Sequence, residues 1–144
     1  MMRAFLLALA LVPGGACALG AQTARDFIGA YELVRTESLS GSGEWEVTTD
    51  TFGPGAQGII MYDGVGSMSV YITRRGSAAS RGDLAYFGRY EVDPARRVVT
   101  HIREFTTSGD ASVDAVRGFE FDGDLLILTV EPARRLRIVW RKRE

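Results

Sequence analysis

Residues 115–130 read AVRGFEFDGDLLILTV. In the first half Arg117, Phe119 and Phe121 alternate with Val116, Gly118 and Glu120, and in the second an apolar run covers Leu125 to Val130. Alternation with a period of two marks a strand with one buried face. Asp122-Gly123, between the two runs, is the dipeptide best suited to the positive φ angles of a two-residue hairpin turn. The stretch therefore predicts a β-hairpin.

The same pattern extends from Ala30 to the C-terminus, with apolar bursts broken every 8 to 12 residues by Gly, Asp, Ser or Pro and no helical face sustained for three turns. Strands are predicted at 30–38, 45–51, 58–62, 67–73, 85–92, 98–106, 115–121, 125–130 and 135–141. Asp93-Pro94, Ser108-Gly109-Asp110 and Glu131-Pro132 mark further turns. The stretch 75–83, RGSAASRGD, is expected to be the longest mobile loop, and Asp26–Gly29 a short turn of helix. Eight or nine sequential antiparallel strands can form a two-sheet sandwich or an up-and-down barrel. Short connections favour the barrel, which also leaves no unpaired edge. At this strand number the interior either fills with side chains or holds one small ligand.

The 144 residues carry 17 basic and 18 acidic groups, one His and one Cys, and 46% are apolar. That composition describes one globular domain and disfavours disorder. Near-neutral charge argues against nucleic-acid binding, which needs a cationic field. One thiol forms no intrachain disulfide, and any catalytic triad or metal site would have to use His101, so no metal or cofactor is expected. Residues 1–18 have the form of an export signal: Arg3, the apolar run Ala4–Val12, then Ala16-Cys17-Ala18 as a cleavage site, with a cut after Ala21 as the alternative. The domain is then 19–144, free of a transmembrane segment, and periplasmic or extracellular. Cys17 would carry a lipid anchor only if the chain were cut before it, and Gly14 stands where such a signal wants an apolar residue.

Dividing strands into faces gives a candidate interior. Met68, Val70 and Ile72 share one face; Leu136, Ile138 and Trp140 share another; Tyr86, Gly88 and Tyr90 a third, with Gly88 leaving room. Strand 98–106 is mixed, since Val99, His101, Arg103 and Phe105 oppose Val98, Thr100, Ile102 and Glu104. Phe119 and Phe121 draw Arg117 inward, where a cation needs a partner. The candidate ligand site is thus Arg117 as anion anchor, His101 and Tyr90 as orienting polar groups, and Tyr86, Met68 and Trp140 as apolar wall.

Gly29-Ala30-Tyr31, YDGVGSMSV (62–70), AYFGRYEVD (85–93), VTHI (99–102), RGFEFDGDLLILT (117–129) and IVWRKR (138–143) resemble the bacterial lipocalin-like domain family over roughly residues 27–143. The resemblance implies a calycin-type barrel with a cavity and little about chemistry. Where the wider lipocalin pattern has Trp under a last-strand Arg, this chain has Tyr31, on which Arg141 or Arg137 is expected to stack. The leading expectation is an exported lipocalin-like protein that binds a small apolar or amphipathic molecule. Two alternatives stand beside it. One is a cofactor-independent isomerase, cyclase or dehydratase with His101 as base and Tyr90 or Arg117 stabilising an oxyanion. The other is a non-catalytic envelope protein with a packed barrel, whose Arg-rich tail binds an acidic surface.

Overall fold

The computed structural model describes residues 22–144; the stretch expected to be an export signal, with Cys17, lies outside them. A helical turn, α1 (Ala24–Phe27), precedes β1 (Gly29–Leu39), β2 (Trp45–Thr48), β3 (Gly58–Tyr62) and β4 (Ser67–Ile72). A 3-10 helix (Gly76–Arg81) then leads to β5 (Leu84–Asp93), β6 (Val98–Thr106), β7 (Ala115–Asp122), β8 (Leu125–Val130) and β9 (Leu136–Lys142). The hairpin at Asp122-Gly123 forms as its sequence demands, with Asp122 opposite Leu125 and Gly123 at φ 59°.

All pairings are antiparallel. β3 to β9 follow one another in order, and β1 closes the circle by pairing with β3 on one edge and β9 on the other. The result is an eight-stranded barrel to which β2 is added as a ninth strand. β1 is long enough for both duties: Gly29–Glu32 pair with β3, and Thr36–Leu39 with β2. Glu37 is buried on this wall and held low in pKa; burial opposes that shift, and hydrogen bonds from Arg35 and Arg137 overcome it. Arg137 also lies over the ring of Trp45, 4.6 Å from its centroid, which fastens β2 to the barrel.

One end of the barrel is sealed by aromatic rings. Phe27, brought in by α1, is fully buried and meets Tyr62, Phe119 and Phe121 edge-on at 5.2, 5.0 and 5.1 Å. Tyr31 holds the turn in place by donating to the Asp26 carbonyl (3.1 Å), and Tyr90 donates to the Asp63 carbonyl (2.7 Å) in the connection between β3 and β4. Among the described residues no helix is long and apolar enough to cross a membrane.

Four local expectations need correction. The stretch 75–83 is ordered as a 3-10 helix, because Ala78 is buried and Arg74 and Arg81 each donate to two backbone carbonyls, those of Arg81 and Gly82 and those of Asp50 and Thr51. The cation over Tyr31 is Lys142, at 5.7 Å, since Arg141 pairs with Asp124 and Arg137 with Glu37. Gly88 leaves no room: a Cβ there would lie 2.0 Å from the Ile102 carbonyl oxygen. The cause is a bulge in β6, where the register shifts between Phe87 and Gly88. This bulge also corrects the face of Phe105. It turns Glu104 and Phe105 both outward, so that Glu104 meets Arg89 (3.6 Å) and Phe105 stacks on Phe87 at 5.6 Å.

If the Phe27 ring is the plug of this end, Phe27→Ala should cost about 3–5 kcal/mol, the usual range for truncating a buried aromatic. Urea unfolding of the variant checks this; a loss below about 1 kcal/mol would contradict it.

Candidate functional site: a tyrosine–histidine–tyrosine chain

His101 sits inside the barrel on β6, opposite Tyr90 of β5 and Ala115 of β7, and none of it is solvent-exposed. Both ring nitrogens are engaged. Nε2 meets the Tyr62 hydroxyl and Nδ1 the Tyr86 hydroxyl, each at 2.8 Å. Burial, reinforced by the charges of Arg117 and Arg103, pushes the pKa of His101 from the ordinary 6.5 down to about 3. Burial also raises both tyrosines. All three groups are therefore neutral near pH 7.

Arg117 stands at the margin of this chain. Its strand parity points it inward beside Phe119, it is half-buried, and its Nη1 donates to the Val116 carbonyl at 2.9 Å. The guanidinium lies against Tyr86, where its charge and hydrogen bonding oppose the effect of burial. Among the described residues no carboxylate is in ion-pair range of Arg117: Glu104 pairs with Arg89, and Glu120 faces solvent. Arg103 has a structural duty, donating to the carbonyls of Val113 (2.9 Å from Nε) and Asp110 (2.7 Å). β6 and β7 pair only from Val98–His101 to Ala115–Gly118, so past His101 they part, and Arg103 ties the gap to the loop 107–114. The polar end of the interior is this mouth between β6 and β7.

The structure thus brings together His101, Tyr86 and Arg117 of the residues singled out from sequence. The other three take no part in the hydrogen bonds of His101. The Tyr90 hydroxyl is committed to the Asp63 carbonyl, Met68 pairs with Tyr62 and Gly88 in the wall, and Trp140 lies between Leu33 and Leu126 with its indole N–H unpartnered. Tyr62 and Arg103 were not singled out as site residues. Alternation in Gly58–Tyr62 puts Tyr62 inward with Ile60, but no local signal says that it meets a histidine 39 positions away.

Chemically, a neutral imidazole with both nitrogens occupied reaches a bound molecule only through a tyrosine hydroxyl. That weakens the case for His101 as a direct general base. Among the described residues no cluster of His, Cys, Asp or Glu has the makings of a metal site. A groove of about 550 Å³ opens on the outer wall, lined by Met61, Ser69, Phe87 and Arg89. Comparison with models of known families and with curated proteins finds no match for the chain.

The depressed pKa of His101 carries a pH signature. The unfolded chain takes up this proton near pH 6.5 and the folded chain only near pH 3, so stability from this group is complete above 6.5 and is lost as pH falls toward 3. The slope is at most about 1.4 kcal/mol per pH unit. Since the chain has a single His, its ring carbon protons in an NMR titration should stay unshifted from pH 8 to 5. A midpoint between 6 and 7 would contradict a buried, neutral ring.

Proposed function

We propose that the chain is an exported, lipocalin-like barrel that binds a small amphipathic molecule bearing a carboxylate, seated at the mouth between β6 and β7. The observation that carries this reading is Arg117, an inward-facing guanidinium beside Tyr86 with no carboxylate in range among the described residues. A half-buried cation without a counter-charge is costly, and an anionic ligand would relieve that cost. The apolar part of such a ligand would lie along Leu84 and Ala115, which neighbour Tyr86 and Arg117 two residues away on their own strands. Because Phe27 and its ring partners fill the opposite end, the ligand is small and held near the mouth.

The resemblance to the bacterial lipocalin-like family supports the same class of function, and the signal-like residues 1–18 support export. N-terminal sequencing of the secreted protein should give a start after Ala18 or Ala21. Recovery of an uncut chain from the cytoplasm would contradict export.

Calorimetric titration with octanoate, and with octanol as a neutral control, tests the ligand class. A charge-assisted hydrogen bond contributes about 1.5–3 kcal/mol, so Arg117→Gln should weaken octanoate at least about tenfold and leave octanol unaffected. Equal binding of the two compounds would overturn the role of Arg117. Binding of neither would favour the second reading, a non-catalytic barrel with a packed interior, for which the buried Phe27 is the supporting observation.

A further inference from the structure

The chain Tyr62–His101–Tyr86 is one acceptor short. A neutral imidazole carries one N–H and each phenol one O–H, so the three groups hold three protons. The two contacts at 2.8 Å use two of them, and among the described residues neither hydroxyl has another acceptor within hydrogen-bond distance. The surplus proton always belongs to the tyrosine that accepts from the ring. If Nε2 carries the ring proton, the unused hydroxyl is that of Tyr62; if Nδ1 carries it, the unused hydroxyl is that of Tyr86.

The surroundings of the two tyrosines differ. The charge of Arg117 reaches both, but Tyr62 is ringed by Phe27, Tyr31 and Tyr90, and among the described residues its hydroxyl meets only Nε2. Tyr86 faces Arg117 and Arg103, which offer donors and attract an anion. In the free protein the guanidinium of Arg117 beside the Tyr86 oxygen turns that hydroxyl toward Nδ1. The ring proton is then on Nε2, and the surplus stays with Tyr62 in the dry end of the barrel.

We propose that a carboxylate bound at Arg117 accepts the Tyr86 hydroxyl, reverses the direction of the whole chain and moves the ring proton of His101 from Nε2 to Nδ1. Tyr86 then donates to the ligand and accepts from Nδ1–H, while Tyr62 turns to donate to the bare Nε2. Protons balance: the ring keeps one, exchanged through solvent, and each phenol keeps its own. All three are now in hydrogen bonds, so relief of the buried donor adds to the affinity for an anionic acceptor. This inference rests on the proposed carboxylate site and specifies how that site recognises its ligand. It makes His101 and Tyr62 positioning residues that never touch the bound molecule.

The single histidine makes the test clean. With 15N-histidine incorporated, a long-range proton–nitrogen spectrum shows one imidazole, and its protonated nitrogen resonates well upfield of its bare one. The expected result is Nε2–H in the free protein, Nδ1–H with saturating octanoate and no change with octanol. Nδ1–H in the free protein would overturn the assigned polarity. If calorimetry shows Arg117-dependent binding of octanoate while the ring proton stays on Nε2, the switch is wrong and the binding site stands. If octanoate does not bind, the proposed site fails and the switch with it.

Discussion

The interior of this barrel is organised around one buried, neutral imidazole. His101 has no exposed surface, and its two nitrogens reach Tyr62 on β3 and Tyr86 on β5, so a single ring of β6 ties three strands together across the lumen. Each of these polar groups would cost about 1–3 kcal/mol if buried without a partner. Their mutual satisfaction is what allows polar atoms into an otherwise apolar core. It also imposes a constraint, because a chain of three such groups, unlike a salt bridge, has a direction and a leftover proton.

That chain divides the lumen into two environments. On one side lie Phe27, Tyr31, Tyr62, Tyr90 and Phe119, packed ring against ring and dry. On the other side β6 and β7 part company, and Arg103 and Arg117 bring positive charge to the opening. The two arginines share a strand parity with His101 and Phe119 yet do different work. Arg103 is consumed in holding the loop 107–114, whereas Arg117 has only the adjacent Val116 carbonyl and the flank of Tyr86. This asymmetry, more than any cavity, gives the barrel a functional end.

Much of the fold was legible because β-structure writes itself in alternation. The hairpin at Asp122-Gly123, the order of strands and the closure of the barrel all follow from a period of two broken by turn residues. What alternation could not show is where it is interrupted. The bulge at Glu104 reverses the parity of β6 beyond Arg103, which is why that strand looked mixed and why Phe105 and Gly88 were misread. The stretch 75–83 looks flexible from its composition, but its order comes from Arg74 and Arg81 bonding to backbone carbonyls, a long-range effect without a local signature. For the site, being the only imidazole was enough to mark His101, and the inward pull of Phe119 and Phe121 on its own strand marked Arg117. Tyr62 was out of reach, since its meeting with His101 is a product of barrel closure, and Tyr90 was drawn in because it shares the inward face of β5 with Tyr86.

The central claim is that the mouth between β6 and β7 is built to receive an anion against Arg117 and Tyr86. A crystal structure of the chain grown with octanoate tests it most directly. The account expects the carboxylate in contact with the Arg117 guanidinium and within hydrogen-bond distance of the Tyr86 hydroxyl. A carboxylate found only in the outer groove beside Phe87 and Arg89, with the mouth holding water alone, would contradict it.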